Sequence, residues 1–560
     1  TVSAEAKSTS DLCKLTSGDL STNWSFDTNR YPLPNVKETF SQFTGSDGKT
    51  VWQEIVEATV EVSSGSRMVA SWDDLESAIT NIPEGASTIT EFSLTQDLTV
   101  QKKISVNVPI KIIAEKDVTI SRDSSFSDAF FEIGTAGSLE IESNNGFKIT
   151  LDGKKESVEA SSALINSSGN LTLTNCNLQN NKNTESFGGA IYINGGNATL
   201  TNCIVGSEVN DSGEIESWRN AASQDNYSNY SAKGGGGIYI AEGIVAIDNS
   251  KISFNYTPNP DQNYGGNGPS GCTHGGGISI VKGSLSLTAS EVSYNSGYQG
   301  GGIRCYSDSS SAGTFTINDS NIKGNASRAY RCSDFGGAIM IKNFDFVCGD
   351  KTSTVEENYS GDGGAIFFEY STSTLQNIKI QNNTYNEEGY CNGADVLLYA
   401  NSNVSISSET VQIINKETET KGVYINSSNN LNLSGSAHIS TPIYLASDAK
   451  INVDGELTSA SGTIVAKITL NDGCTSGTQI LTTTTGIELS EMLEYFDLTN
   501  DNYILTEEGK IEVVTLISDT TDLVNFYDAT KKCYSVSTGN YAFTQDIVLA
   551  ALFIYKMEKA

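Results

Sequence analysis

One tetrapeptide governs how this chain can fold. Gly-Gly-Ala/Gly-Ile stands at Gly188 to Ile191, Gly235 to Ile238, Gly275 to Ile278, Gly300 to Ile303, Gly336 to Ile339 and Gly363 to Ile366, with a degenerate copy at Gly393 to Val396. The Ile positions are spaced by 47, 40, 25, 36 and 27 residues, and Val396 follows after 30. Such self-similarity marks a stacked array whose bare unit is the shortest spacing and whose longer units carry insertions. At 560 residues the chain is too long for one compact core. An elongated solenoid fits that length.

A second pattern runs between the glycine copies. In Ser284 to Asn295 the places are Leu285, Leu287, Ser290, Val292 and Asn295; they recur as Leu171, Leu173, Cys176, Leu178 and Asn181, as Val245, Ile247, Ser250, Ile252 and Asn255, and as Phe315, Ile317, Ser320, Ile322 and Asn325. A looser copy keeps Ala198, Leu200, Cys203 and Val205, but Glu208 takes its last place and Asn210 comes two residues late. Each unit therefore holds three short runs of period two, one after the glycine pair, one around Leu-x-Leu and one before the Asn. Period two means strands. Three strands in about 25 residues leave no room for crossover helices, so each strand must pair with its equivalent one unit away.

The expected fold is all-β, a right-handed parallel β-helix with three-strand coils. Strands stack at about 4.8 Å, so equivalent letters become ladders along the axis. Ile and Leu fill the interior, and the place of Cys176, Cys203, Ser250, Ser290 and Ser320 admits only small side chains at an inward bend. The paired glycines permit angles or approaches that a Cβ forbids. Asn181, Asn255, Asn295 and Asn325 form a structural ladder that hydrogen-bonds turn amides of adjacent coils.

Composition agrees. Gly numbers 52 and Pro 8, and Ser, Thr and Asn crowd every row, so helices should be scarce. Lys plus Arg is 35 against 67 for Asp plus Glu, a net charge of −32. Nucleic acid is excluded as a partner, because its affinity rests on cationic contacts to phosphate. The same charge keeps a strand-rich molecule soluble. No apolar run approaches the roughly 18 residues of a membrane-spanning helix; the best, Val548 to Tyr555, is far shorter. No direct membrane insertion is expected. Thr1 to Lys7 lack a charged start followed by an apolar stretch, so a secretory leader is not expected within this sequence.

The repeated Gly-Gly-Ala-Ile, together with an apolar residue three places before Asn as in Ile252 to Asn255 and Val292 to Asn295, resembles the polymorphic outer membrane protein repeat. Those proteins carry pectin-lyase-like β-helices, and the resemblance implies a surface or secreted adhesin of a Gram-negative-type bacterium. Gly422 to Val514, with Thr441-Pro-Ile-Tyr-Leu, Leu457 to Ile468 and Gly477 to Leu481, is also similar to β-helix surface proteins of spirochaetes. No terminal transmembrane barrel is recognisable, so self-translocation is not expected.

The chain reads as an irregular extension over 1–67 holding Trp24 and Trp52, a capping-helix segment over 68–92, the repeat β-helix over 93–425, terminal coils over 426–515 and a cap or tail over 516–560. Ser71-Trp-Asp-Asp-Leu-Glu-Ser-Ala-Ile predicts an amphipathic helix with Ser71 as N-cap, Asp73 and Asp74 in its first turn, and Trp72, Leu75 and Ile79 on one face. It should cover the open first coil. The longest insertions, 211–234, 256–274 and 326–335, are expected at one corner, between the Asn place and the next glycine pair.

Tyrosine crowds that segment. Tyr227, Tyr230, Tyr256, Tyr264, Tyr298, Tyr330 and Tyr359, joined by Trp218, are the candidate ligand-binding residues. Aromatics along a flank bind sugar rings or anchor a protein partner; the competing reading is that they pack loops onto the solenoid. The expected function is a non-catalytic binder presenting this flank to a host protein or glycan. The alternatives are a polysaccharide lyase or hydrolase, or a structural surface protein without a ligand.

Enzymatic chemistry on such a fold needs paired carboxylates, or a base with a cation beside it. No Gly-His-Gly or Arg-x-Lys beside an Asp pair is found; His274 precedes a glycine motif at the end of an insertion, His438 sits in a simple strand stretch, and Asp334 and Asp362 read as isolated surface acids. No catalytic residue, cofactor or metal is expected; neither an EF-hand loop nor a Gly-Gly-x-Gly-x-Asp array occurs. Of the 10 cysteines, none forms a CxxC pair. Cys176 and Cys203 share one interior ladder within disulfide reach, but adjacent-strand strain favours buried thiols. Cys305 should be buried too. Cys272, Cys332 and Cys391 sit on the variable edge, where an oxidising compartment would let a disulfide pin a loop.

Overall fold

A computed structural model describes residues 67 to 517 apart from 144–145, 209–226, 259–273, 311–312, 328–334, 361–363, 386–394, 415–421, 461–462, 472 and 485, and outside that span only the backbone of a few short strands. The chain divides into two units, 1–65 and 66–560. In the first, Phe40–Thr44 pairs antiparallel with Thr50–Glu54. Most of the segment 516–560 falls outside the described residues; Asn540–Phe543 pairs in parallel with residues 514–517.

The second unit is a right-handed parallel β-helix. The bare coil shows its plan: Ile278–Ile280 and Gly283–Thr288 form two arms of a 27-stranded sheet, Glu291–Ser293 belongs to an 11-stranded sheet, and Ser296–Gly297 belongs to an 8-stranded one. One coil on, Ile278 lies over Ile303, Leu285 over Phe315, Val292 over Ile322 and Ser296 over Ala326. Equivalent letters are thus spatial neighbours. The coil has one strand more than alternation predicts, because a two-residue strand after the Asn is too short to show a period.

Besides the glycine turn, two corners of the repeat coils use a left-handed residue. Asn175, Asn202, Asn249, Ala289 and Asp319 have φ of 45 to 56° just before the small place, and Asn180, Phe254, Tyr294, Gly324, Glu357 and Asn382 have φ of 54 to 64° just before the Asn place. Asn, Asp and Gly tolerate that region best. At such a corner the parallel hydrogen-bond ladder breaks, leaving one buried N–H per coil in need of an acceptor. A side chain of the following coil supplies it. The N–H groups of Cys203, Ser250, Ser290 and Ser320 donate to the hydroxyls of Ser250, Ser290, Ser320 and Ser353 at 2.9 to 3.2 Å. Likewise Asn255 N–H donates to Oδ1 of Asn295, Asn295 to Asn325, Asn325 to Asn358 and Asn358 to Asn383, at 2.9 to 3.0 Å.

The Asn ladder is longer than the four residues read from the sequence. Asn181, Asn229, Asn255, Asn295, Asn325, Asn358 and Asn383 all belong, each at most 3% exposed. Asn229 corrects the looser copy: neither Glu208 nor Asn210 takes its last place, since Asn229 accepts from Asn181 N–H at 3.1 Å and donates to Asn255 Oδ1 at 3.0 Å. The insertion of that coil therefore enters before the Asn place. Local spacing could not reveal this, because a corner residue is chosen by what it stacks on, and residues 209–226 intervene.

The interior is one apolar cluster running the length of the described coils. Cys176, Cys203, Cys305 and Cys348 are buried in it as thiols; Cys272, Cys332 and Cys391 lie outside the described residues. Helix α1, Trp72–Thr80, joins two strands of the second arm and buries Trp72, Leu75, Ala78 and Ile79 in the same core. Ser71 Oγ accepts from Asp74 N–H at 3.1 Å, and the Trp72 indole N–H donates to Lys102 O at 2.7 Å while its ring packs on Phe131. The 11-stranded sheet ends at Val411–Ile414. Later coils keep the two arms, as Val423–Ile425 and Asn430–Gly435 do.

Candidate functional site

The candidate tyrosines separate into two places. Trp218, Tyr264 and Tyr330 lie outside the described residues. Tyr230 and Tyr256 sit in register on the 8-stranded sheet, and Tyr359 holds the same column three coils further on. Tyr227 is only 2% exposed and stacks on Tyr256, ring centroids 4.6 Å apart at 19°; Tyr230 lies 5.8 Å from Tyr256. Strand spacing of about 4.8 Å equals a ring-stacking distance, so rings in one column use their faces on each other and show solvent their edges. Burial raises the Tyr230 phenol above its ordinary pKa. Tyr227 thus supports Tyr256 from within the structure. Tyr298 is elsewhere, beside His274.

A larger assembly covers the outer side of the first arm. The residue after each glycine-motif Ile points away from the interior, and these residues stand in line: Tyr192, Tyr239, Ser279, then Arg304, Met340 and Phe367. Leu397, Tyr424 and Tyr444 continue it. Of nine positions only Ser279 is small. The second arm of the same sheet is built differently, its outward line carrying Thr172, Thr199, Ala246, Ser286, Thr316 and Val347, with no ring among them. Small hydroxyl residues suit a wetted sheet face; large rings and an arginine do not.

The line is covered at its centre and open toward its ends. Met340, Phe367 and Leu397 are at most 2% exposed, with Phe335 stacked on Phe367 at 4.4 Å. Tyr192 and Tyr239 are half-buried, with Phe187 stacked on Tyr239 at 4.2 Å. Tyr424 and Tyr444, also half-buried, stack at 4.9 Å and 14°. Beside the line, Arg304 lies 3.8 Å and Lys342 4.5 Å from the Tyr306 ring centre. Lys342 pairs with Glu369 at 3.5 Å, and Tyr306 Oη donates to Asp308 at 2.9 Å. Burial pushes the Glu369 carboxyl above its usual range, with Lys342 opposing.

His274 lies among aromatic rings. Its ring has Tyr298 at 5.6 Å and Tyr306 at 6.5 Å, and burial, with Arg304 nearby, holds the imidazole well below its ordinary pKa. The neutral form is the resident one at pH 7. Asp334 and Asp362 lie outside the described residues. Among the described residues, no three of His, Cys, Asp and Glu converge as metal ligands would. A polar groove of about 370 Å³ lies at the corner lined by Lys251, Glu291, Asp319, Asn321 and Thr354. Its serine hydroxyls, Ser250, Ser290 and Ser320, already accept the backbone N–H groups described above.

Sequence reasoning concentrated on the insertions and missed the outward line. A signal was present in the letter after each motif Ile, which reads Tyr192, Tyr239, Ser279, Arg304, Met340 and Phe367. Alternation makes that position outward, and its bulk is foreign to an exposed strand.

No family model matches the chain. No curated protein matches it either. Among solved structures it is similar to the A-module of the mannuronan C-5 epimerase AlgE6 of Azotobacter vinelandii, at 9% identity over 78% of this chain and 97% of that one, with a TM-score of 0.34. A likeness at that level says nothing of substrate or activity.

Proposed function

We propose that this chain is a non-catalytic, adhesin-like binding protein that presents the loop-bearing flank of its β-helix, together with the outer side of the first arm beside it, to a protein or glycan of a host cell surface. It acts outside the cell or on the outer surface of a Gram-negative-type bacterium, in keeping with the resemblance of its glycine motif to the polymorphic outer membrane protein repeat. The observation that carries this reading is the contrast between the arms: one outward line of Thr, Ser, Ala and Val without a ring, and one in which Tyr, Phe, Met, Leu and Arg fill every place but Ser279. Rings and guanidinium groups are the side chains that dominate binding energy at interfaces. Because stacked rings present edges and hydroxyls, contact is made through phenol groups as well as apolar surface.

The test is an array of glycans and extracellular-matrix proteins probed with the soluble chain. A variant carrying Tyr192→Thr, Tyr424→Thr and Tyr444→Thr places on the first arm the residue type that the second arm tolerates, with strand propensity preserved. At least tenfold weaker retention with an unchanged thermal midpoint is the expected result. Unaltered retention, or a blank array for the parent chain, overturns the reading; reproducible cleavage of a polysaccharide would place the chain among enzymes instead.

A further inference from the structure

Ser279 is the exception in the line of large outward residues, and its surroundings are unusual. It lies in register with Tyr239 on one side and Arg304 on the other. The residue is wholly buried, and its Oγ has no hydrogen-bond partner; Nδ1 of His274 is likewise out of reach of solvent and without one. The two residues belong to one turn, since a Cβ on Gly275, next to His274, would stand 2.8 Å from the Ser279 Cβ. Half-buried rings surround it: Tyr298 and Tyr306 flank His274, and a Cβ on Gly234 would touch both His274 O, at 3.1 Å, and the Tyr239 ring, at 3.5 Å.

Buried polar atoms in native proteins nearly always have partners. Two buried atoms that lack them, on one turn of the chain beside half-buried rings, describe a receptor for a polar group brought from outside. The chemistry of that group follows from charge. A cation is repelled by Arg304 and by Lys342 beside it. A polyanion meets a chain of net charge −32 and a local carboxylate, Glu369, already paired to Lys342. A hydroxyl suits both atoms, since it donates to a ring nitrogen and exchanges hydrogen bonds with a serine, and the C–H surface of a sugar suits the tyrosine rings.

We infer that the coil between His274 and Tyr306 holds a subsite for an uncharged sugar unit, whose hydroxyl is received by Ser279 Oγ and His274 Nδ1. This rests on the binding reading above and narrows its ligand to a neutral glycan. Ser279 is then a binding residue rather than a structural one, and that distinction is measurable.

The experiment compares the full chain with Ser279→Ala, using fluorescent hexasaccharides of glucose, mannose, galactose and N-acetylglucosamine, and a hexauronate, each at 50 and 500 mM salt, alongside thermal unfolding. At least one neutral hexasaccharide should bind the parent chain with little salt dependence and bind Ser279→Ala at least tenfold more weakly. The thermal midpoint should stay equal or rise, because the substitution removes a hydroxyl that nothing in the fold uses. His274→Phe, which keeps a ring on the tyrosines without the nitrogen, should weaken the same oligosaccharide. The inference is overturned if Ser279→Ala binds as the parent does, if it lowers the midpoint while binding is unchanged (a hydroxyl satisfied by internal water), or if the hexauronate alone binds and is released by salt. A chain that binds matrix proteins on the array but no hexasaccharide retains the broader reading and loses this one.

Discussion

The side-chain amide of Asn383 donates to the buried carboxylate of Asp395 at 3.1 Å. The bond closes the Asn ladder at one end, and at the other end the Arg122 guanidinium donates to Oδ1 of Asn181 at 2.9 Å. From Asn229 onward each Nδ2 donates toward the later coil and each Oδ1 accepts from the earlier one. The amide dipoles are therefore aligned, with a cation at their negative end and a carboxylate at their positive end. Burial pushes Arg122 down to about 10, which still leaves it charged at neutral pH. Asp395→Asn, which keeps an acceptor and loses the charge, should cost about 0.5–1.5 kcal/mol, and Asp395→Ala about 1–3 kcal/mol by leaving a buried donor without this acceptor. Amide hydrogen exchange at Asn358 and Asn383 reads the local opening, which suits a long solenoid better than one global midpoint.

Asn295 lies mid-ladder, and its substitution should cost more than that of an end residue. Its Oδ1 accepts from both the N–H and the Nδ2 of Asn255, at 3.0 and 2.9 Å, and its Nδ2 donates to Ile252 O at 2.8 Å and to Asn325 at 3.0 Å. Asn295→Ala strands several buried groups at about 1–3 kcal/mol each. Exchange at the Asn255 amide should accelerate by two orders of magnitude or more, while amides near Asn432 keep their rates. Equal protection in variant and parent would show that the ladder bonds contribute nothing to holding the coils together.

The glycine motif separates two neighbouring positions. A Cβ at Gly276 would stand 2.3 Å from Gly301 O and 2.4 Å from Ser296 C, both backbone of neighbouring segments. At Gly277 the nearest atom is Gly302 O at 2.7 Å, and the same place one or more coils away holds Ala190, Ala338 and Ala365. Gly276→Ala should therefore lower the thermal midpoint severely or prevent folding. Gly277→Ala should be tolerated within about 1 kcal/mol, after a shift of the kind the Ala coils already show. Circular dichroism melts of the two variants check the contrast.

These particulars show what could be read from letters alone. Stacking of equivalent positions follows from period two and from the spacing of Ile238, Ile278 and Ile303, because one-dimensional repetition leaves little choice of neighbours. The N-cap at Ser71 is legible for the same reason: capping is local. Asn229 was not, since its place is defined by Asn181 and Asn255 across the coil boundary. Tyr227 and Tyr256 were visible as a cluster, but whether a ring offers its face or spends it on a neighbour depends on register. His274 acquired Tyr306 and Arg304 as neighbours through two glycine turns.

His274 gives the fold a pH dependence whose sign is fixed. Its imidazole is held well below 6.5 in the folded chain, mainly by burial and secondarily by Arg304, whereas the unfolded chain titrates near 6.5. Above that pH both states carry a neutral ring and the group contributes nothing. Below it the unfolded chain binds a proton that the folded chain refuses, so stability falls as pH drops, by at most about 1.4 kcal/mol per pH unit until the folded pKa is reached. Glu369 works in the opposite sense lower down: its raised pKa makes the folded chain the first to take a proton as pH approaches 4.5. His274→Gln isolates the imidazole contribution. Between pH 7.0 and 5.5 the parent should lose thermal stability relative to this variant, and the two curves should run parallel above pH 7. Curves parallel through the whole range would mean that the folded imidazole takes up its proton as freely as the unfolded one, and that the packing of Tyr298, Tyr306 and Arg304 around it does not hold in solution.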